Sequence, residues 1–422
     1  MILDIPDKDK KKLGLIINYY RTNNYKDEHP TSWGINKFIR NKDENICSPT
    51  TLSNIENGNI IKSSDIYDEL LEKLGQQYNY QKELSHIHKK FDKKIALAFE
   101  SFNSELLDSL ITEYIQALEP YKNFIIEKEL ISALKFSIDT HTVEIEKGIN
   151  KYLKLFPIYE PSIKLILGDR LYNHIYNFGS LQKLEEVNQI VNLSSKSYRL
   201  QCNQIYTLIK KKYYLRAAEL LSELEKYYLK TDNTLAILQT YSLKLILMEE
   251  CNSNEWIEET RKTLPIFKEN IDKNKEQIIT HIFNISMGCF NRKKYNLAFE
   301  LLSFVLIESD ELFLPTAIYL NNISTITGLD IPQQANKEEY PVENFPKEFN
   351  IIYNFYLLKN RGSPPEELEN YIFENIRPIF INCSDDSLYQ TFLIELEKCV
   401  SITGHKNLIY QYNRIKTRSI KS

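Results

Sequence analysis

The chain has 422 residues, of which 42 % are hydrophobic and 26 % charged, and its formal net charge is −4. This balance excludes a disordered chain and a polycationic nucleic-acid coat, and the length calls for two or more structural units. Only 11 glycines occur. Parallel α/β folds and β-sandwiches need glycine at their tight turns, so the composition predicts an all-α protein.

Cysteine and apolar residues are distributed as in a cytoplasmic protein. The six cysteines are scattered without CxxC spacing: Cys47, Cys202, Cys251, Cys289, Cys383 and Cys399. Disulfide frameworks and zinc sites need paired or clustered thiols, so we expect buried, reduced cysteines. The N-terminus has no apolar segment typical of a signal peptide. No stretch reaches the ~18 apolar residues of a membrane span, so no membrane contact is expected.

Residues 1–75 are predicted to form a separate domain of four helices. The apolar stripe of the first helix recurs at i, i+3, i+4 and i+7: Leu13, Ile16, Ile17 and Tyr20. Thr31 is the expected N-cap of a second helix. Its inner face consists of Ile35, Phe38 and Ile39. Ser64 is expected to cap the fourth helix, which Gly75 ends.

The third helix of this domain carries the most specific local pattern. Ser48 is a predicted N-cap, and Pro49 takes the first helical position, where a missing N–H costs nothing. Leu52 and Ile55 face inward, and Gly58 ends the helix with a positive φ. The opposite face carries hydrogen-bonding side chains at helical spacing: Thr50, Ser53, Asn54 and Asn57.

The segment Ser48–Gly58 resembles the S-x-x-T-[LI]-S-x-[IW]-E-x-G segment of phage-repressor-like (XRE-type) helix-turn-helix domains. In that family the segment is the recognition helix and the turn after it, so the resemblance implies sequence-specific binding of double-stranded DNA. Glu56 and Gly58 are then structural. The DNA-contacting residues that we predict are Pro49, Thr50, Ser53, Asn54, Asn57, Lys37 and Arg40.

The chain departs from the family pattern in three respects. Asn36 and Arg40 stand where the family has alanine and glycine, and residues 41–46 lengthen the turn before the recognition helix. Residues 1–75 also hold 11 Lys/Arg against 12 Asp/Glu, so phosphate binding depends on local cations. The candidates are Lys8, Lys10, Lys11, Lys12, Arg21, Lys37, Arg40, Lys42 and Lys62. The alternative is a four-helix cap without a DNA role, whose polar face is merely solvated.

From about Leu84 the chain repeats a pair of apolar-periodic helices. We predict a linker and first helix pair over 76–120, and repeats over 121–422 with a break near 330–346. Further pairs are predicted to start near Tyr121, Glu160, Lys196, Asn233, Glu276 and Leu312. Their spacing of about 36–43 residues is typical of helical solenoids. Prolines are expected at the joints: Pro120, Pro157, Pro161, Pro265, Pro315, Pro364 and Pro365.

Two of these pairs, 196–230 and 276–310, share a motif. Their second helices read Tyr214-x-x-Ala217-x-x-x-Leu221-x-x-Leu224 and Tyr295-x-x-Ala298-x-x-x-Leu302-x-x-Val305. This resembles the second half of the tetratricopeptide repeat, in which the alanine allows close helix approach. The resemblance implies a right-handed α-solenoid of helix pairs.

The repeat register places Asn203 and Asn284 at one equivalent position of the first helices, which line the concave face of such solenoids. Asparagine there can pair with the backbone of an extended peptide. Asn173, Asn321, Tyr206 and Phe283 complete the peptide-binding residues that we predict. The alternative is that asparagine is simply abundant, and that both aromatic side chains belong to the core between helices.

The sequence lacks the motifs of common catalytic and metal sites. None of the seven histidines lies in an HExxH motif, and there is no GxxxxGK[ST], GxGxxG or GxSxG. His86-x-His88 is a weak metal pattern, because residues two apart on a helix point to different sides. We therefore expect no enzymatic activity, no cofactor and no metal.

The architecture as a whole resembles the peptide-sensing regulators of Gram-positive bacteria known as the RRNPP family. That resemblance implies a cytoplasmic homodimer that binds an operator through its helix-turn-helix domain and a short quorum-sensing peptide through its repeats. The rival hypothesis is an interaction scaffold that sequesters a protein partner without specific DNA binding. Duplex binding by residues 1–75 distinguishes the two.

Overall fold

The computed structural model describes residues 5–41, 44–138, 142–178, 181–192, 197–340, 345–382 and 386–419. Helices dominate these residues, and the sheet found among them is one hairpin, so the predicted all-α class is confirmed. The helices are α1 (Asp7–Thr22), α2 (Asn24–Glu28), α3 (Ile35–Phe38), α4 (Pro49–Glu56), α5 (Asp65–Lys73), α6 (Lys82–Glu100), α7 (Ser104–Leu118), α8 (Ile125–Ile138), α9 (Thr142–Leu155), α10 (Pro161–Phe178), α11 (Leu181–Asn192), α12 (Tyr198–Lys210), α13 (Tyr214–Thr231), α14 (Thr234–Glu250), α15 (Trp256–Glu269), α16 (Lys275–Asn291), α17 (Tyr295–Glu308), α18 (Phe313–Thr327), α19 (Lys347–Asn360), α20 (Pro365–Tyr371), α21 (Arg377–Asn382), α22 (Asp386–Thr403) and α23 (Asn407–Ser419). The hairpin joins β1 (Arg40–Asn41) to β2 (Glu44–Asn45).

The chain divides into two compact units, Met1–Leu243 and Lys244–Ser422. In the first unit a continuous apolar core runs from Ile5 to Leu200. The boundary predicted at residue 75 lies inside this unit, because α1 packs not only on α4 and α5 but also on α9. The first helices of residues 121–422, the predicted repeat region, therefore share a core with residues 1–75.

Helix α1 is the centre of the N-terminal arrangement, whose described residues form five helices, α1 to α5, where four were predicted. The predicted stripe of Leu13, Ile16, Ile17 and Tyr20 is buried, as expected for one apolar helix face. Gly14 lies at the contact with α4, where a Cβ atom would stand 2.0 Å from the carbonyl oxygen of Ile55. No side chain fits there, so the close approach of α1 and α4 requires glycine.

The segment before α4 differs from the prediction. Helix α3 begins at Ile35 after Gly34, so Thr31 is not its N-cap and that prediction is wrong. Residue 31 lies instead in a turn, whose carbonyl accepts a hydrogen bond from Lys37 Nζ at 2.9 Å. The lengthened turn contains the hairpin, with Arg40 opposite Asn45.

The helix pairs of the repeat region begin where the periodicity places them. Helices α8, α10, α12, α14, α16 and α18 start within about four residues of the predicted positions, although residue 196 itself lies outside the described residues. The motif alanines Ala217 and Ala298 are fully buried. Equivalent lysines, Lys212 at φ 63° and Lys293 at φ 59°, make the turn inside the two matching pairs.

Two expectations for the second unit have different outcomes. Pro265 lies inside α15 rather than at a joint, so that prediction is wrong. Proline there removes the hydrogen bond to the carbonyl of Arg261, which is an exposed residue. Between α18 and α19 the described residues contain one short element, the 3₁₀ turn Gln333–Asn336, and the break in the repeats near 330–346 stays a prediction. Residues 341–344 lie outside the described residues.

Candidate nucleic-acid interface

Helix α4 has the start and the end that the sequence predicts. The Ser48 hydroxyl accepts a hydrogen bond from the amide of Thr51 at 3.0 Å, and Pro49 occupies the first turn. At the other end Gly58 has φ 76°. Its amide donates to the carbonyl of Ile55 at 2.9 Å, and the amide of Asn59 donates to that of Asn54 at 2.9 Å. This is a Schellman turn, which satisfies carbonyls that the helix leaves free.

A buried ion pair fixes α4 against α1. Arg21 Nε lies 2.5 Å from Glu56 Oε1, and Arg21 Nη2 lies 2.8 Å from Glu56 Oε2. Arg21 Nη1 donates to the carbonyl of Trp33 at 2.7 Å. Both charged side chains are buried, at 5 % and 6 % exposure. The predicted structural role of Glu56 is therefore confirmed, and the two-pronged geometry orients α4 about its own axis.

The polar face of α4 points away from this core. Thr50 and Asn57 are exposed, Ser53 and Asn54 are half-buried, and Pro49 is exposed at the start of the helix. Lys37 on α3 and Arg40 on β1 are also exposed. The structure thus presents all seven predicted DNA-contacting residues outside the core. Their contact with DNA stays a prediction.

Some cations that were candidates for phosphate contact have intramolecular partners. Arg21 forms the buried pair with Glu56, so its assignment as a surface phosphate ligand is wrong. Lys10 is buried and donates to the carbonyl of Lys62 at 3.0 Å. The pattern of charges in the sequence does not reveal these partners, because each lies far away along the chain. Lys42 lies outside the described residues.

Polar contacts also join α1 to the repeat region of the first unit. Lys8 Nζ and Lys12 Nζ lie 3.0 Å and 2.7 Å from Glu160 Oε1. The Tyr20 hydroxyl donates to Glu129 Oε1 at 2.6 Å. Two of the phosphate candidates therefore pair with a carboxylate at the start of α10 instead of remaining unpaired.

Asn203, a predicted peptide ligand, is buried in a polar cluster of the first unit. Its Nδ2 donates to Asp169 Oδ1 at 2.9 Å, and Arg199 Nη2 lies 3.2 Å from Asp169 Oδ2. Arg199 also donates to the carbonyl of Phe99 at 3.0 Å, which links α6, α10 and α12. Asp169 and Arg199 were not predicted, since no local motif marks residues paired across three helices.

The other predicted peptide ligands fall into two groups. Asn321 is buried, donates to the carbonyl of Ala317 at 2.8 Å and accepts from Asn360 at 3.1 Å. Tyr206 packs against the core, and its hydroxyl accepts a hydrogen bond from Gln239 at 3.1 Å. By contrast Asn173 on α10 and Asn284 on α16 are exposed, and Phe283 beside Asn284 is half-buried. Asn173 and Asn284 therefore present their side chains to solvent, whereas Asn203 and Asn321 already form internal hydrogen bonds.

The described part of the chain contains no group of three or more His, Cys, Asp or Glu side chains placed to hold a metal ion. Within the same residues, none of the helices combines the length and the apolarity that crossing a membrane requires. His88 Nδ1 lies 2.6 Å from the hydroxyl of Tyr114. Of the cysteines described, Cys202, Cys289 and Cys399 are buried as expected, whereas Cys251 is exposed.

No family model, characterised protein or solved structure matches the chain.

Proposed function

We propose that this protein is a cytoplasmic DNA-binding transcriptional regulator whose helical repeats sense a short signalling peptide. The observation that carries the proposal is α4, a helix with defined ends that an ion pair fixes against α1 and that presents hydrogen-bonding side chains on its outer face. We infer that residues 1–75 form a helix-turn-helix domain of the XRE type. The repeats would form a right-handed solenoid of tetratricopeptide-like pairs, and the functional form would be a homodimer.

The side chains on the polar face of α4 suit the edges of base pairs in the major groove. Asparagine can donate to and accept from adenine in a bidentate contact, and threonine can bond to a base and pack on a thymine methyl group. Thr50 and Asn54 are one helical turn apart, so both can reach one groove. Lys37 and Arg40 are exposed and precede α4 in the chain. We expect them to contact phosphates.

The test is selection of duplexes from a random pool by the purified full chain, followed by fluorescence anisotropy. We expect Thr50→Ala with Asn54→Ala to abolish preference for the selected duplex, with each lost base contact costing about 1–3 kcal/mol. Thermal unfolding should stay unchanged, since neither side chain is in the core. A matched control is Thr112→Ala with Gln116→Ala, an exposed pair of the same spacing on α7.

Equal loss of affinity for selected and random duplexes would show that Thr50 and Asn54 do not read bases. Enrichment of no duplex would overturn the proposal.

Among the asparagines that we predict to bind the peptide, the two exposed ones are stronger candidates than the two buried ones. An extended peptide carries N–H and C=O groups that need partners when they leave water. Asn284 on α16 can supply both a donor and an acceptor, as can Asn173 on α10. For Asn203 and Asn321 a peptide would have to replace the existing bonds to Asp169 and Asn360.

Isothermal titration of the protein with a short peptide encoded beside the gene tests whether Asn284 binds the peptide. Asn284→Ala should weaken binding by about 1–3 kcal/mol, because the peptide group loses its partner. Asn296→Ala, an exposed asparagine on the neighbouring helix α17, is the matched control. If Asn284→Ala binds like the unmodified protein, the register argument is wrong.

The alternative is an interaction scaffold, and one observation favours it. Several cations of the N-terminal domain have intramolecular carboxylate partners, as in the contacts of Lys8 and Lys12 with Glu160 and of Arg21 with Glu56. Carboxylates that already neutralise these three cations reduce the attraction of the domain for phosphate. The duplex selection described above decides between the two functions.

A further inference from the structure

A cavity of about 290 Å³ lies in the first unit where α1 meets the repeat region. Its walls come from the start of α1, the connector 78–81, α6 and the start of α8. The volume lies just below the ~300–1,000 Å³ typical of small-molecule sites. It suits a ligand with few non-hydrogen atoms.

Two of the cations in the wall already have a counter-ion. Lys8 Nζ and Lys12 Nζ share Glu160, at 3.0 Å and 2.7 Å from its Oε1. The third cation, Lys89, is an exposed residue of α6. An anionic ligand would therefore have to compete with Glu160 for the two lysines of α1.

Two of the carboxylates in the wall also have donors. Asp9 Oδ2 accepts a hydrogen bond from the hydroxyl of Tyr78 at 2.8 Å. Asp92 Oδ1 accepts one from the amide of Ser162 at 2.8 Å. Each of these two carboxylates therefore already accepts a hydrogen bond within the protein and attracts a ligand less strongly.

Glu127 on α8 is different from these groups. It lines the cavity, it is only 5 % exposed, and its Oε2 has no hydrogen-bond partner among the described residues. Burial, with a smaller contribution from the charge of Asp9, raises the pKa of Glu127 to about 7, although a hydrogen bond from its own backbone amide and the charge of Lys12 oppose the shift. A buried carboxyl oxygen without a donor is rare and costly in a folded protein.

We propose that this cavity binds the primary ammonium group of a small organic cation, with Glu127 as its counter-ion. An ammonium group carries three donors and no acceptor, which matches an acceptor left without a donor. The charge-assisted hydrogen bond forms away from bulk water, where it is stronger than at the surface. This inference does not depend on the proposed regulatory function, because it concerns the cavity alone.

The test is isothermal titration of the full chain with n-butylammonium chloride at pH 7, alongside n-butanol and sodium butyrate. The three probes have the same carbon chain and differ in the head group. We expect only n-butylammonium to bind. Since burial raises the pKa of Glu127 to about 7, part of the protein carries the protonated carboxyl at pH 7. Ammonium binding should therefore release a fraction of a proton per ligand, seen by repeating the titration in buffers of different ionisation enthalpy.

Glu127→Gln should abolish the proton release and weaken n-butylammonium binding at least tenfold. This variant is expected to fold, since it replaces a buried carboxyl by a neutral group of similar shape. The matched control is Glu83→Gln, which removes an exposed carboxylate on α6 outside the cavity and should bind like the unmodified protein.

Binding of butyrate in preference to n-butylammonium would overturn the proposal, as would unchanged affinity in Glu127→Gln. If that variant failed to fold, proton release by the unmodified protein would decide whether Glu127 is the counter-ion of the ammonium group. Binding without proton release would place the ammonium group elsewhere.

Discussion

At the scale of single residues, the most consequential contact is the ion pair between Arg21 and Glu56. Each charge is buried and each has a partner, so removing one leaves the other buried alone. Such a loss costs more than the pair itself contributes, because the remaining charge cannot reach water. The pair therefore matters for the orientation of α4 more than for net stability.

We predict that Arg21→Met lowers the local stability of α4 by about 3–5 kcal/mol, measured by hydrogen exchange of its amides. The double variant Arg21→Met with Glu56→Leu should recover much of this loss, since no unpaired charge remains. As a control, Lys262→Met removes one partner of the exposed pair with Glu258 and should leave stability unchanged. Equal losses in the single and double variants would contradict the explanation.

At the scale of elements, the turns inside the two matching helix pairs share one geometry, with a lysine at the position of positive φ in each. After α12 the amide of Lys212 donates to the carbonyl of Ile209 at 2.8 Å, and after α16 that of Lys293 donates to Phe290 at 2.9 Å. Both lysines have a positive φ, which costs a residue with a Cβ roughly 1–2 kcal/mol. The turn geometry is retained despite this strain, because the paired helices on either side fix it.

Lys293→Gly is expected to stabilise the protein by about 0.5–1 kcal/mol, the relief of strain less the extra backbone entropy of glycine in the unfolded chain. Lys212→Gly should act in the same way in the first unit. The control is Lys294→Gly, because residue 294 has φ −88° and no strain to relieve. Urea unfolding measures the difference, and a gain of the same size for the control would count against the strain argument.

At the scale of the whole molecule, the N-terminal helices are tied to the repeat region of the first unit by charges. Burial disfavours the ionised form of Glu160, but the charges and hydrogen bonds of Lys12 and Lys8 outweigh it and hold its pKa at about 2. A carboxyl whose pKa is lowered on folding stabilises the folded state above its unfolded value near 4.5. That contribution is lost as the pH falls toward 2.

We therefore expect Glu160→Gln to destabilise the protein at about pH 6, and this difference to shrink progressively between about pH 4.5 and pH 2. Urea unfolding across this range measures it. Glu119→Gln is the matched control, because Glu119 pairs with Lys122 at the surface, where solvent screens the interaction. A difference independent of pH would mean that Glu160 acts through packing and not through its charge.

The sequence by itself determined the helical class, the ends of α4 and the starts of the helix pairs. These depend on local rules: apolar spacing along a helix, a serine cap followed by proline, and a glycine that adopts a positive φ. Gly58 and Ser48 behave as predicted because their roles involve only neighbouring residues. The predictions that Thr31 caps a helix and that Pro265 lies at a joint were wrong. Contacts outside the local segment decide where a short helix begins and whether a proline interrupts a helix.

Only the tertiary structure decided which polar residues remain available for a ligand. Asn203 and Asn284 are equivalent in the repeat register, yet Asn203 is buried against Asp169 and Asn284 is exposed. Likewise Arg21 pairs with Glu56, which lies far away along the chain. The cavity beside Glu127 is also lined by residues from distant parts of the chain. Periodicity identifies the face of a helix, but the partner that covers this face is set by packing between elements, and no local pattern encodes that partner.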